Sequence, residues 1–290
     1  MMNFKNLNIS YLSLKMMEKI ILLFTFLILS CAKEIKVISY NIRYNNPNDG
    51  MNIWENRRET VGQLILNEAP NFIGMQEVKQ PQLIDLQKTL SGYNYIGVGR
   101  DDGKAEGEYS LNFYDRNKHQ VLKSNTFWLS ETPDTVSVGW DASMERICTY
   151  GLFKNKENDQ IFWVFNTHFD NRGHLAREKS AQLIIKTINN LNTKKLPVIL
   201  TGDFNLTPET STIKLLQNNF YDVQEALPKT DPFYGTTNGF GNSKNAGHRI
   251  DYVFTKKIKV KSAKHLYEKT PLDGWASDHH PVIATLELIE

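Results

Sequence analysis

The chain has 290 residues, of which 40% are hydrophobic and 23% charged, with 17 Gly and 10 Pro. That is the profile of an ordinary globular protein of one large domain or two small ones, and it excludes a disordered, collagenous or coiled-coil chain. Two Cys exclude a disulfide scaffold, and the one long apolar run, Ile20–Leu29, spans ten residues against the roughly 20 that cross a bilayer.

The first segment reads as an address. Lys19 precedes the apolar run, and Ser30 and Cys31 follow it. A positive flank, a short apolar core and a small residue make a secretory signal peptide over residues 1–31. Ile28-Leu29-Ser30-Cys31 resembles the lipobox of bacterial lipoproteins, in which the Cys is acylated and becomes the mature N-terminus. The expectation is an exported cell-envelope lipoprotein, facing the periplasm or on the surface, held to the membrane by a lipid on Cys31. The structural alternatives are an ordinary signal peptide or a buried strand. Met16 or Met17 would begin a more typical leader.

Removing the leader changes the charge. The full chain carries 34 Lys+Arg and 32 Asp+Glu, and residues 1–31 hold Lys5, Lys15, Lys19 and Glu18, which leaves 31 against 31. A protein that grips long nucleic acid usually carries a basic excess, and this one has none. Cys148, in Arg146-Ile-Cys-Thr-Tyr-Gly-Leu-Phe153, reads as a buried structural thiol in a strand.

Residues 34–290 show no repeat, linker or composition shift and are expected to form one domain. Strand signals recur at Lys36–Tyr44, Asn71–Glu77, Tyr93–Gly99, Tyr109–Arg116, Asn125–Leu129, Arg146–Lys154, Ile161–Phe169, Val198–Phe204, Arg249–Phe254, Val260–His265 and Pro281–Leu288. Helical periodicity marks Trp54–Asn67, Pro81–Leu90 and His174–Leu191, where Leu183, Ile184, Ile188 and Leu191 form a stripe. About eleven strands and four helices predict two packed sheets with helices on their outer faces.

Several apolar strands end in residues that burial does not select. Lys36-Val-Ile-Ser-Tyr-Asn41 ends in an amide, Phe72-Ile-Gly-Met-Gln-Glu77 in a carboxylate, and Ile161-Phe-Trp-Val-Phe-Asn-Thr-His168 in an imidazole. Pro197-Val-Ile-Leu-Thr-Gly-Asp-Phe-Asn205 ends in Asp203 and Asn205, which share a side if the extended backbone persists. Asp251 lies inside an apolar strand, and Asp278 and His279 stand just before the last one. Buried polar groups are costly unless paired, so six such ends are best explained by convergence. Each alone has a structural explanation, as a solvated terminus, a turn or a hydrogen-bonded core histidine. Hard oxygen donors without a suitable thiolate suit magnesium, manganese or calcium rather than zinc. Carboxylates, an amide and two imidazoles beside such an ion fit hydrolysis of a phosphate ester by an in-line water.

The ordered motifs Tyr40-Asn41, Gln76-Glu77, Thr167-His168, Gly202-Asp-Phe-Asn205, Arg249-Ile-Asp-Tyr252 and Ser277-Asp-His279 resemble the endonuclease/exonuclease/phosphatase superfamily. Gly97-Val-Gly-Arg-Asp-Asp-Gly103, Thr126-Phe-Trp-Leu-Ser-Glu-Thr-Pro133 and Asn166-Thr-His-Phe-Asp-Asn171 look like its exported bacterial members. The resemblance implies a four-layer α/β sandwich, two packed mixed sheets flanked by helices, with the active site at one edge. It implies a Mg2+ ion, with Mn2+ as substitute, on Glu77, Asn41 and Asp278. Asp203 matches the carboxylate that orients or deprotonates the attacking water, and Asn205 holds that water or a phosphate oxygen. His279 matches the imidazole on the scissile phosphate and Asp251 its orienting carboxylate. His168 resembles a second phosphate-facing imidazole, with Glu108 as its orienting carboxylate, which would leave two cationic donors flanking the phosphate. Arg146 is expected either to contact phosphate through its forked donors or to form a surface ion pair. His280 is expected to point away.

The resulting expectation is an exported Mg2+-dependent phosphoesterase acting as a monomer. Its substrate is a nucleic acid, cut in the manner of a 3′-5′ exonuclease, or a nucleotide, a sugar or inositol phosphate, or a phospholipid head group. Trp54, Trp140 and Trp275 are placed in loops, as base- or sugar-stacking groups or as loop anchors. The rival is a catalytically silent protein that binds a phosphorylated ligand in the same cleft.

Overall fold

The computed structural model describes residues 34–226, 235–241 and 247–289. One six-stranded sheet contains β1 (Glu34–Asn41), β2 (Phe72–Val78), β3 (Tyr93–Ile96), β4 (Tyr109–Asp115), β11 (Ile258–His265) and β12 (Val282–Leu288), in the order β11-β12-β1-β2-β4-β3. The other contains β5 (His119–Trp128), β6 (Ile147–Asn155), β7 (Ile161–His168), β8 (Val198–Asp203), β9 (Tyr221–Asp222) and β10 (Asp251–Lys256), in the order β5-β6-β7-β8-β10-β9. Each sheet has a parallel pair near its centre, β1 with β2 and β7 with β8. A parallel pair needs a crossover, usually a helix. α1 (Trp54–Glu68) supplies the first and α3 (His174–Leu191) the second, while α2 (Gln80–Thr89) and α4 (Ser211–Gln217) add to the outer layers.

The helices form where apolar spacing and end signals coincide. In α1, Val61, Leu64 and Ile65 share one face and pack with Ile38, Ile73 and Met75 of the sheet and with Leu83 and Leu86 of α2. The helix ends at Ala69 in the left-handed conformation, one residue before Pro70. The first turn of α3 is capped from a distant loop, since Asp141 accepts from the amides of Leu175 (3.2 Å) and Ala176 (2.6 Å). Ala181, Ile184 and Ile188 then face Val198 and Leu200. A third apolar cluster lies between the sheets, around Val37, Phe72, Phe162, Val164, Ile199 and Val253. Full burial of each such aliphatic side chain contributes roughly 1.5–3 kcal/mol. The arrangement is the expected four-layer α/β sandwich.

Side chains alternate along a strand, so the inter-sheet face can be read two residues at a time. It runs Val37-Ser39-Asn41 on β1, Phe72-Gly74-Gln76 on β2, Val164-Asn166-His168 on β7 and Ile199-Thr201-Asp203 on β8. Each strand passes from apolar to small or polar to a reactive side chain. The middle layer is a polar network centred on Asn166. Asn166 donates to the carbonyls of Met75 and Leu111 (2.8 Å each) and accepts from Gln76 Nε2 (2.7 Å) and Thr201 Oγ1 (3.0 Å). Gly74 is required beneath it, because a Cβ there would lie 2.0 Å from Thr201 Oγ1.

Some elements differ from expectation. β5 begins at His119 rather than Asn125 because its first half is mostly solvent-exposed and polar, which hides a strand signal. β9, two residues long, gives no periodicity. Trp54 is not in a loop: it is buried in the first turn of α1, with Nε1 bonded to Asp85. Cys148 is fully buried, and burial pushes its thiol well above the ordinary range. Cys31 and the expected leader lie outside the described residues.

Candidate active site

The two parallel pairs end on the same side of the sandwich, where open α/β sheets place their ligands. On one sheet His168, Asp203 and Asp251 stand opposite one another on β7, β8 and β10, because Asp203 pairs in register with both neighbours. Asp251 is thus the first residue of its strand, not an interior one. On the other sheet Asn41 pairs with Gln76.

Glu77 reaches the site by a distortion. The β2–β4 register shifts between Met75 and Val78, and Glu77 adopts φ 62°, an uncommon conformation for a non-glycine residue. The bulge re-aims a carboxylate that strict alternation would send away from Gln76's side. Asn205 arrives similarly. The strand stops at Asp203, Asn205 has φ 50°, and its amide N–H donates to Asp203 Oδ1 at 2.9 Å. A turn, not extended alternation, therefore brings the pair together, which corrects the sequence expectation.

The groups then converge. Asn41 Nδ2 lies 3.0 Å from Glu77 Oε1 and 3.0 Å from Asp203 Oδ2, so one amide bridges carboxylates of both sheets. The Tyr44 amide donates to Glu77 Oε2 at 3.0 Å. His279 Nδ1 donates to Asp251 Oδ2 at 2.8 Å and lies 3.9 Å from Asp203 Oδ2. The 277–279 segment is held by Ser277 Oγ on the Asn41 carbonyl (2.7 Å) and by the Asn238 and Gly239 amides on the Asp278 carbonyl (2.8 and 3.0 Å). Arg43, clamped by Asp49 through two bonds of 2.9 and 3.0 Å, points Nε at Asp278 Oδ2 from 3.9 Å.

The second histidine has a different setting. Asn205 Nδ2 donates to the Phe169 carbonyl (3.0 Å) and to His168 Nε2 (3.0 Å). A carbonyl can only accept, so Nδ2 is the amide nitrogen and His168 Nε2 is an acceptor. Its Nδ1 has no hydrogen-bond partner among the described residues. Glu108 does not orient it; that carboxylate is paired with Arg100 Nη1 at 2.9 Å. Arg146 is not a surface ion pair. It is buried, with Nε 3.4 Å from Asp170 Oδ2 and Nη1 without a partner among the described residues. His280 packs edge-on against Tyr267 and Trp275. Trp275 also lies beneath the Lys269 ammonium, 4.0 Å away, which makes it a loop anchor.

Charge states follow from these neighbours. Burial works against a charged His279, yet the charge and hydrogen bond of Asp251, with Asp203 and Asp278 behind, hold its pKa well above the usual value. Burial, then Arg146, Arg100 and His279, hold His168 well below it. Burial and the charge of Asp251 push Asp203 up to about 7. The expected pair of cationic imidazoles is therefore one cation and one neutral ring.

Carboxyl and imidazole atoms of Asp203, Asp251 and His279 lie within 4.8 Å of one another, although the His279 nitrogen facing them is already bonded to Asp251. Burial, with the charge of Glu77, raises the Asp278 pKa against the opposing pull of His279. Four carboxylates face two cationic side chains, His279 and Arg43, and all available donors beyond the imidazoles are oxygens. That donor set fits a hard divalent cation.

Sequence reasoning missed three residues here. Arg43 lies two residues after Asn41. Arg100 lies within the quoted glycine-rich stretch. Asp170 is two beyond His168 and accepts from Arg172 N, Gly173 N, Ser143 N, Ser143 Oγ and Arg146 Nε. All three sit inside or beside the recognised motifs, but their partners are remote in sequence.

Comparison with known proteins places the chain in a family. A structure described as an endonuclease/exonuclease/phosphatase from Bacteroides vulgatus is 39% identical, with a TM-score of 0.82 over 88% of this chain and 99% of that one. A mannosyl-6-phosphatase from Bacteroides thetaiotaomicron is 36% identical, with a TM-score of 0.79 over 87% of this chain and 99% of that one. Human nocturnin is 25% identical over 268 residues, 82% of this chain and 59% of nocturnin. Residues 38–279 match the Endonuclease/Exonuclease/phosphatase family, and the chain belongs to that family.

Proposed function

We propose that this protein is a Mg2+-dependent phosphoesterase that hydrolyses small phosphate monoesters, sugar phosphates foremost, by in-line attack of water. The observation that carries the reading is the Asn41 amide lying 3.0 Å from both Glu77 and Asp203, with the His279–Asp251 pair alongside. Glu77, Asn41 and Asp278 would hold the ion, with Mn2+ as substitute. When bound, it supplies charge stabilisation to the phosphoryl oxygens and favours ionisation of water.

The remaining chemistry belongs to the chain. Asp203, poised near neutrality, accepts a proton from the attacking water, and Asn205 positions that water. The water oxygen bonds to phosphorus, the ester P–O bond breaks, and the alcohol leaves with a proton from solvent. Cationic His279, fixed by Asp251, donates Nε2–H to a non-bridging oxygen where charge builds up. Arg146 offers its unpartnered Nη1 to a second oxygen. His168 acts as a neutral ring beside them. Two features favour a small sugar phosphate over long nucleic acid: the balanced charge of residues 32–290 and the likeness to the Bacteroides mannosyl-6-phosphatase.

The test is phosphate release with Mg2+ from mannose 6-phosphate, other sugar phosphates, nucleotides, inositol phosphates and an oligonucleotide. Sugar phosphates are expected to turn over fastest. Faster cleavage of the oligonucleotide would reassign the site to a nuclease, and no turnover of any would favour the silent binding protein.

We also propose export as a lipoprotein anchored through Cys31, on the strength of the Ile28-Leu29-Ser30-Cys31 segment. Cys31→Ser is expected to move the protein from the membrane to the soluble fraction. A wild-type protein already found soluble counts against the anchor.

A further inference from the structure

Arg57 is an arginine that the chemistry above does not use. It is fully buried, at 0% exposure, and no carboxylate among the described residues lies within ion-pair distance of it. Lone buried charges are rare because desolvation is expensive. Burial accordingly pulls its pKa down, though the guanidinium remains charged at any physiological pH. The cost is offset by four main-chain carbonyls. Nε donates to Asn52 O at 2.6 Å, Nη1 to Ile42 O at 2.9 Å and to Ala276 O at 2.8 Å, and Nη2 to Arg43 O at 3.3 Å. The Trp54 and Phe240 rings lie 5.6 and 5.3 Å from its carbon centre.

Three of the four carbonyls, those of Ile42, Arg43 and Ala276, flank site residues. Ile42 and Arg43 follow Asn41, and Ala276 precedes Ser277 and Asp278. Ser277 Oγ on Asn41 O and the 3.9 Å approach of Arg43 Nε to Asp278 Oδ2 also tie these two segments. We infer that Arg57 is a positioning residue for divalent-cation binding: its planar fork sets the spacing between the Asn41 and Asp278 backbones, and so between the oxygen donors that hold the ion. The inference rests on the assignment of Glu77, Asn41 and Asp278 as metal-holding residues. A lysine cannot replace the fork, because three donors on one nitrogen cannot span carbonyls on three separate segments.

The experiment is Mn2+ titration of the purified protein by electron paramagnetic resonance, without substrate. Glu77→Gln should abolish tight binding; if it binds as the wild type does, the metal assignment fails and the inference with it. Given that control, Arg57→Met and Arg57→Lys are expected to weaken Mn2+ binding about tenfold or more while keeping a cooperative melt. Phe153→Leu, a core truncation away from the site, should lower Tm and leave Mn2+ affinity unchanged. In Arg57→Ala, millimolar methylguanidinium should restore affinity and methylammonium should not. If the Arg57 variants do not fold, Phe240→Ala carries the test, since that ring is half-buried and only flanks the guanidinium; a loss of about threefold is expected. Wild-type Mn2+ affinity in folded Arg57→Met, or in Phe240→Ala where Arg57 variants fail to fold, overturns the inference.

Discussion

The two walls of the site each carry a histidine, buried His168 and half-buried His279, and they treat it in opposite ways. On the His279 wall, Asp251 accepts the Nδ1 proton at 2.8 Å and Asp203 and Asp278 stand behind it. On the His168 wall, the Asn205 amide donates to Nε2, Asp203 Oδ2 lies 3.5 Å from the same nitrogen, and burial with the charges of Arg146, Arg100 and His279 works against protonation. One ring is therefore held as a cation and the other as a neutral base. The same side chain, at the end of β7 or in the segment before β12, takes its charge from its neighbours, so the motif identifies the residue but not its protonation state.

The largest test of this contrast is on the acidic wall. His279→Ala is expected to lower kcat by about 10³-fold or more, because it removes a charged donor aimed at developing negative charge. Asp251→Asn keeps the shape but loses the charge that sustains the imidazolium, and a fall of about 10²-fold in kcat is expected. If Asp251→Asn is silent, the cationic assignment of His279 is wrong. On the basic wall, Arg146→Met should raise KM about tenfold and move the His168 ring toward its ordinary pKa, read by NMR titration. A His168 that titrates unchanged would separate it electrostatically from Arg146.

Glu108→Gln sharpens the comparison further. Because Glu108 pairs with Arg100 and not with His168, kcat is expected to stay within about fivefold of wild type. A loss as large as that of Asp251→Asn would restore Glu108 as an orienting carboxylate. A third histidine supplies a reference without a catalytic setting. His119 is buried against Phe72 and Phe162, with neither ring nitrogen hydrogen-bonded among the described residues. Burial brings its pKa from the usual 6.5 to about 4. Between those values the unfolded chain binds a proton that the folded chain excludes, so stability falls as pH drops through that window, by about 3 kcal/mol once pH is below both. His119→Leu should therefore lose less Tm between pH 7 and pH 5 than the wild type. An identical loss would show that His119 does not contribute to acid sensitivity.

Much of this molecule is legible in its sequence, for identifiable reasons. Strand ends such as Asn41, His168 and Asp203 stand out because each closes an apolar run, and alternation places them on one face. Glu77 and Asn205 stand out by type, yet their routes into the site depend on a bulge and a turn with positive φ, which alternation does not foretell. The pairing of Glu108 with Arg100 is hidden because the Gly97–Gly107 loop has no periodicity and folds by its own hydrogen bonds. Trp54 is misread because a helix's first turn resembles a loop in composition, while its burial against α2 is a tertiary fact. Arg57 carries no local signal: its partners are carbonyls, which every residue possesses.

The central claim is that residues of both sheets form one metal-dependent hydrolytic centre. Its most direct measurement is the rate of p-nitrophenyl phosphate and bis-p-nitrophenyl phosphate hydrolysis by the wild type and Asp203→Ala, with Mg2+ and with the ion removed by chelation. The account predicts that chelation and Asp203→Ala each lower the rate by at least about 10²-fold, with the monoester preferred. Equal rates across wild type, variant and chelated enzyme would contradict it.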